Sequence, residues 1–277
     1  MLKQNYSLDV IVSGILEEGV YVAKDVFSPK QCAYYIDFLE AALLRCAKEE
    51  RYFGNETYQV IYHYFTHDFR LIDLVDHSLI QEVMNQLIDS DFVLISPSAR
   101  NRQTKQFRTS AQRTSGVGWH NDARYSRDGK TAFRPSLNFY ALIMLEEFSV
   151  ENGATQIITG SHKLYKRPIS RSLKDSGFGA DQISHMVGSV GSIAFFDAAL
   201  WHAVGKTSNK SRWGVFNMYG PWFMKPYYDF GVMFSDEQFE AMTPLQRQLL
   251  HYDSRPVPNI DAGLATLRRV RDKLATS

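Results

Sequence analysis

Residues 118–126 read GWHNDARYS and set a histidine and an aspartate one residue apart, His120 and Asp122. On an extended segment, side chains two residues apart point to the same side. The pair could therefore grip one ion. Alone the spacing is weak, since His67 followed by Asp68 shows that these residue types also meet by chance. A metal site needs a third ligand and a use. His202 stands in the strand-rich stretch FFDAALWHAVGKTSNKSRWGVFNMY, and Arg212 follows ten residues later at the start of another strand. If those two strands pair across their loop, both side chains enter one cavity. Two histidines and a carboxylate compose the facial triad of non-haem iron oxygenases, which leaves the opposite side of the metal open. An arginine beside that side has a use, because its planar fork binds a carboxylate through two charge-assisted hydrogen bonds. The co-substrate 2-oxoglutarate carries such a carboxylate at its distal end.

These residues need elements to position them. The first 25 or so residues read as a short helix and then a strand, GVYVAKDVF. SPKQCAYYIDFLEAALLRCAKEE opens with Ser28 as N-cap and Pro29 at the first helical position. Tyr35, Phe38, Leu39, Ala42 and Leu43 then recur at helical spacing. A further helix is expected from about Ser78 to Ile88. After residue 90 the texture changes to short β-rich runs, DFVLISPSA, FRPSLNFYALIML, ATQIITG, GSIAFFDA and RWGVFNMYGPW, parted by Gly, Pro, Asn and Ser. Such a series predicts a sandwich or barrel. A helical layer before it argues for an α+β fold with the helices packed on one sheet. Ser235 precedes an acidic turn and a helix start, and DAGLATLRRVRDKLATS reads as a terminal helix with a solvated basic face.

The bulk numbers exclude some classes. At 277 residues with net charge +1, the chain offers no electrostatic case for nucleic acid or an anionic membrane, so a small molecule is the default partner. The opening residues lack the apolar stretch of a signal peptide, and no apolar run reaches the length of a membrane span. Cys32 and Cys46 fall on one expected helix, about 21 Å apart, too far to bridge. Two unbridged thiols suit a reducing cytoplasm. Oligomeric state is not legible.

Together, the H-x-D at 120–122, the distant His202, then Arg212, and ENGATQIITGSHK at 151–163 resemble the phytanoyl-CoA dioxygenase family. The Asn152-Gly153 turn followed by Gly160-Ser161-His162 matches the family pattern, with Thr159 where proline is usual. GVYVAKDVFSPKQC resembles the family's start and FSDEQFEAMTPLQRQLLHY its later part, so the likeness runs from about residue 15 to about 252. The resemblance implies a double-stranded β-helix, a cupin-like jelly roll. It implies one oxygenase domain over 1–277, with a helical layer at about 1–90, a jelly-roll core at about 91–225 and C-terminal helices at about 235–277. It further implies that His120, Asp122 and His202 hold Fe(II), that Arg212 takes the distal carboxylate of 2-oxoglutarate, and that Thr155 contacts the same co-substrate. Expected products are succinate, CO₂ and an oxidised, typically hydroxylated, small molecule. An intact Asp122 argues against halogenation, which on this scaffold replaces the carboxylate ligand with a small residue. A CoA ester is not expected despite the family's name, since many members act on free amino acids or secondary metabolites. A cupin-like metal enzyme that does without 2-oxoglutarate and a non-catalytic scaffold are the rival readings.

Other residues carry lesser expectations. His162 belongs to a turn shaped by Gly160 and Ser161, not to the metal. Trp119 and Trp201 should face away from the site as packing. Asn138 and Tyr140 alternate on one strand and could line the pocket, as could Gln103 and Lys105. Arg124, Arg127, Lys130 and Arg134 make a cationic loop after the ligands, and Lys206 and Lys210 another before Arg212; solvation accounts for both.

Overall fold

A computed structural model describes residues 7–48, 53–55, 58–102, 118–123, 135–168, 173, 177–205 and 212–252. Gln103, Lys105, the 124–134 loop, Lys206, Lys210 and the basic terminal helix lie outside the described residues. Helix α1 (Leu8–Glu18) leads into strand β1 (Val20–Ala23), and α2 spans Pro29–Lys48. Ser28 caps α2: its Oγ accepts from Gln31 N at 3.3 Å while Gln31 Oε1 accepts from Ser28 N at 2.9 Å. Strands β2 (Phe53–Asn55) and β3 (Tyr58–Tyr62) follow, inside the stretch expected to be a helical layer. The alternation of Tyr58, Val60 and Tyr62 is the signal for them. Helix α3 (Ser78–Leu87) then buries Leu79, Ile80, Val83 and Met84.

The β-rich runs become β4 (Val93–Arg102), β5 (Phe139–Met144), β6 (Gln156–Ile158), β7 (Ser184–His185), β8 (Ile193–Asp197), β9 (Trp201–Ala203) and β10 (Arg212–Gly220). One antiparallel sheet has the order β1-β8-β5-β10-β4-β3-β2, and a second has β7-β6-β9. The helix start expected after Ser235 is there, and two short helices follow it, α4 (Asp236–Ala241) and α5 (Pro244–Leu249). The extended Met242 and the following Thr243-Pro244 start a second capping box instead of continuing the first helix. No described helix is long and apolar enough to cross a membrane.

The period-2 rule sorts the large sheet into two faces. Ala141, Ile143, Phe195, Trp213 and Val215 pack with residues of α1, α2 and α3 in one core. Tyr140, Leu142, Ala194, Phe196, Phe216 and Met218 pack with Ala154 and Ile157 beside the small sheet in the other. The sheets therefore enclose a jelly-roll interior, and the helices cover the outer face of the larger one. This is the α+β arrangement expected from the sequence.

The end of α1 is fastened to the site. Gly19 closes the helix at φ +85°, and a Cβ there would stand 2.6 Å from His162 Nδ1 and 2.7 Å from a Leu200 methyl. His162 Nε2 donates to Leu16 O at 3.0 Å and Gly160 N to Glu18 O at 2.8 Å. In the same turn Ser161 Oγ accepts from Trp201 N at 2.8 Å, one residue before His202. His162 thus serves the fold. Gly19→Ala is expected to cost ~1–3 kcal/mol from the left-handed backbone alone, seen as a lower urea midpoint with an unchanged m-value.

Candidate metal centre

The 118–123 segment lies along β9. His120 N donates to His202 O at 3.0 Å, His202 N to His120 O at 2.8 Å, and Asp122 N to Ala198 O at 2.8 Å. Asn121, between the two proposed ligands, points the other way and donates from Nδ2 to Lys166 O and Ala199 O, each at 3.1 Å. His120 and Asp122 consequently share a side, and His202 faces them. One potential ligand atom from each of the three lies within 4.8 Å of the others.

The protonation pattern suits a cation. His120 Nδ1 donates to Gly118 O and His202 Nδ1 to Leu200 O, each at 2.8 Å. A carbonyl can only accept, so each neutral ring carries its proton on Nδ1 and keeps a bare lone pair on Nε2. Burial, with help from the neighbouring His202, holds the His120 pKa down at about 4. His120 is therefore neutral at physiological pH. His202 Nε2 stands 3.5 Å from Asp122 Oδ2. Two lone-pair atoms at that distance repel unless a proton or a metal ion joins them. Burial pushes the Asp122 carboxyl up, but a hydrogen bond with His202, the charge of the two imidazoles when protonated and the Tyr140 hydroxyl outweigh it and hold the group below the usual carboxylate range; a bound cation would supply the same positive charge. Two imidazoles that can offer Nε2 and one carboxylate form the donor set that a divalent iron site requires.

Tyr140 from β5 donates its hydroxyl to Asp122 Oδ2 at 2.9 Å. Its ring stacks on Phe196 at 4.7 Å between centroids, and Phe196 meets the His202 ring edge-on at 5.8 Å. Asn138, two residues before Tyr140, donates to Asp122 O at 3.2 Å. Tyr140 therefore holds the carboxylate, and Asn138 the backbone that carries it. Tyr140→Phe is expected to weaken Fe(II) binding ~10-fold or more, as loss of an outer partner of a metal ligand does. Direct Fe(II) titration of the folded variant checks this, and unchanged affinity would contradict it. Trp201 faces away, buried with Ile158 and Leu173 and with Trp119 against them, as alternation predicts.

His202 and Arg212 are not partners in one hairpin, contrary to the sequence expectation. β9 belongs to the small sheet and β10 to the large one, so the two side chains reach the interior from opposite walls. Arg212 is buried. Its Nε donates to Asn152 O at 3.1 Å, its Nη2 donates to Gly153 O at 2.5 Å, and its guanidinium lies 3.9 Å over the Phe148 ring. The Asn152-Gly153 turn is thus the cradle of the arginine. Thr155 follows that turn, and with Val204, Phe216, Arg100 and Arg102 it joins Arg212 around a small, partly open pocket. Arg100 and Arg102 were missed because the sequence reading ended strand β4 at Ala99.

A profile of the phytanoyl-CoA dioxygenase family matches residues 15–214, a stretch that holds His120, Asp122, Thr155, His202 and Arg212. This chain belongs to the phytanoyl-CoA dioxygenase family. Fe(II), 2-oxoglutarate and O₂ are the cofactors of that family. Uncharacterized proteins of Mycobacterium bovis and Mycobacterium tuberculosis are each 29% identical over 121 residues, which is 43% of this chain and 42% of theirs. The match therefore spans less than half the length of those relatives. Among solved structures, HygX from Streptomyces hygroscopicus with nickel and 2-oxoglutarate bound is 17% identical, with TM-score 0.62 over 79% of this chain and 89% of its own. The epimerase SnoN, in complex with Fe3+, alpha ketoglutarate and nogalamycin RO, is 16% identical, with TM-score 0.59 over 79% of this chain and 86% of its own. EctD from S. alaskensis with bound Fe is 16% identical, with TM-score 0.57 over 78% of each chain. These likenesses establish the jelly-roll fold for this family member.

Proposed function

We propose that this family member is a non-haem Fe(II)- and 2-oxoglutarate-dependent dioxygenase that hydroxylates a C–H bond of a small molecule. The observation that carries the reading is the convergence of His120, Asp122 and His202, with both Nδ1 protons committed to backbone carbonyls. His120 Nε2, His202 Nε2 and the Asp122 carboxylate would hold the iron. When bound, iron with 2-oxoglutarate supplies the activation of O₂, coupled to splitting of the co-substrate into succinate and CO₂.

The chain's own residues position and protect. Arg212, braced by the carbonyls of Asn152 and Gly153, presents its fixed charge to the distal carboxylate of 2-oxoglutarate, and Thr155 offers a hydroxyl beside it. Tyr140 keeps Asp122 turned to the metal. Leu142, Ile157 and Phe216 make the interior apolar and limit water near the reacting atoms. Asp122 fills the position that a halogenase of this scaffold leaves open, which favours hydroxylation. SnoN is an epimerase on the same fold, so the scaffold alone does not fix the reaction type. Arg212 beside Thr155 weighs against a metal enzyme that ignores 2-oxoglutarate, and the complete triad weighs against a scaffold role.

Metal removal tests the reading. Protein stripped with a chelator should release no succinate from 2-oxoglutarate in air, and Fe(II) alone among added divalent ions should restore it. Succinate release without iron, or its restoration by Zn(II), would contradict the proposal.

A further inference from the structure

Five residues before His202, β8 ends in Asp197, a buried carboxylate outside the triad. The chain then turns through Ala198, Ala199 and Leu200 before β9 begins at Trp201. All three carbonyls of that turn serve the ligand segment. Ala198 O accepts from Asp122 N at 2.8 Å, Ala199 O from Asn121 Nδ2 at 3.1 Å and Leu200 O from His202 Nδ1 at 2.8 Å. A trans peptide is planar, with its N–H pointing opposite to its carbonyl, so whatever holds the N–H aims the oxygen. The N–H groups of the same three peptides are held as well. Asp197 Oδ1 accepts from Ala199 N at 2.6 Å, Asp197 O from Leu200 N at 2.9 Å and Ser161 Oγ from Trp201 N at 2.8 Å.

Two of those three acceptors are atoms of Asp197. The residue is itself fixed, since its N donates to Gly19 O at 2.9 Å at the end of α1. The two alanines have no side-chain polar group with which to aim the turn. Ala198 N donates to Asn138 O at 3.1 Å, and Asn138 Nδ2 donates to Asp122 O at 3.2 Å. Asp122, Ala198 and Asn138 thus close a ring of hydrogen bonds around the backbone of the anionic ligand. The Asp197 carboxylate reaches that ring through one peptide. It takes the Ala199 N–H, and the carbonyl of the same peptide takes the Asp122 N–H. Burial pushes the Asp197 carboxyl up, and the Ala199 N–H opposes that. The buried charge therefore costs stability, and an amide of the same size would be buried at less cost. What the carboxylate adds is a charge-assisted bond to the turn, stronger than a neutral acceptor makes.

We infer that Asp197 is a positioning residue for the metal centre: its carboxylate fixes the Ala198–Ala199 peptide and thereby the placing of Asp122 against His202. The inference rests on the metal-centre reading above and adds to it a residue outside the triad.

The test reads metal affinity, co-substrate affinity and folding separately in the full-length protein. Anaerobic Fe(II) titration gives the first. The visible charge-transfer band formed when 2-oxoglutarate is added to the iron-saturated protein gives the second. The urea midpoint of the apo-protein gives the third. Asp197→Ala should bind Fe(II) ~10–100-fold more weakly than wild type, the loss that follows removal of an outer partner of a metal ligand. Its iron-saturated form should keep the wild-type affinity for 2-oxoglutarate, because Arg212 and Thr155 stand on other elements. Asp197→Asn keeps an acceptor for the Ala199 N–H and loses the charge. It should unfold at the wild-type midpoint or above it and bind Fe(II) about threefold or more weakly, yet tighter than Asp197→Ala. Wild-type iron affinity in either variant that folds overturns the inference. So does an equal loss of iron and 2-oxoglutarate affinity, or an iron loss that only tracks a fall in the midpoint, since Asp197 would then serve the fold alone. A wild-type protein that binds no Fe(II) overturns the metal-centre reading and this inference with it.

Discussion

Arg212→Ala should weaken 2-oxoglutarate binding by roughly 30-fold to several thousand-fold while leaving Fe(II) binding almost unchanged. Truncating one partner of a buried charge pair costs ~2–5 kcal/mol, and 1.4 kcal/mol is tenfold in affinity. Arg212 is buried and its fork is already oriented by two backbone carbonyls and the Phe148 ring, so little ordering remains to be done when the co-substrate arrives. The same bonds mean that the alanine variant also strips donors from Asn152 and Gly153 and loosens the turn before Thr155. Arg212→Lys separates the two effects. It keeps the charge and loses the fork, so its defect should lie between wild type and alanine. Equal loss of iron and 2-oxoglutarate binding in Arg212→Ala would remove the residue from its proposed role.

Asp122→Gly should bring 2-oxoglutarate turnover, read as succinate release, below a hundredth of the wild-type rate, beyond the ~10–100-fold cost of losing only an outer partner of a metal ligand. The carboxylate is the single anionic donor of the three. Without it two neutral imidazoles face a divalent ion, and the Tyr140 hydroxyl loses its acceptor. Iron affinity and succinate release should fall together. Full retention of activity would mean that Asp122 is not a ligand.

Part of this site could be seen in residue order alone. His120 and Asp122 were legible because alternation on an extended segment needs no tertiary knowledge, and the opposite turn of Asn121 shows the rule at work. Tyr140 was legible for the same reason, two residues after Asn138 on β5. Its bond to Asp122 was not, since that depends on how the sheets face each other. The roles of His202 and Arg212 came from the family pattern, and the pairing imagined for them failed because β9 and β10 enter different sheets. Arg100 and Arg102 were hidden by their chemistry. Arginine is mostly a surface residue, so S-A-R-N-R after an apolar run reads as the end of a strand, whereas β4 runs through Arg102 beside β10. Strands β2 and β3 were passed over because a short aromatic alternation was outweighed by the long helices around it.

The central claim is that His120, Asp122 and His202 hold iron while Arg212 seats 2-oxoglutarate beside it. An anaerobic titration tests it most directly: Fe(II) is added to the apo-protein, then 2-oxoglutarate, and the visible spectrum is followed. The account predicts a weak charge-transfer band that saturates at one 2-oxoglutarate per iron in the wild type and fails to form in Asp122→Gly. Iron binding with no band on adding 2-oxoglutarate would contradict the role of Arg212 and Thr155, and no iron binding would contradict the metal centre itself.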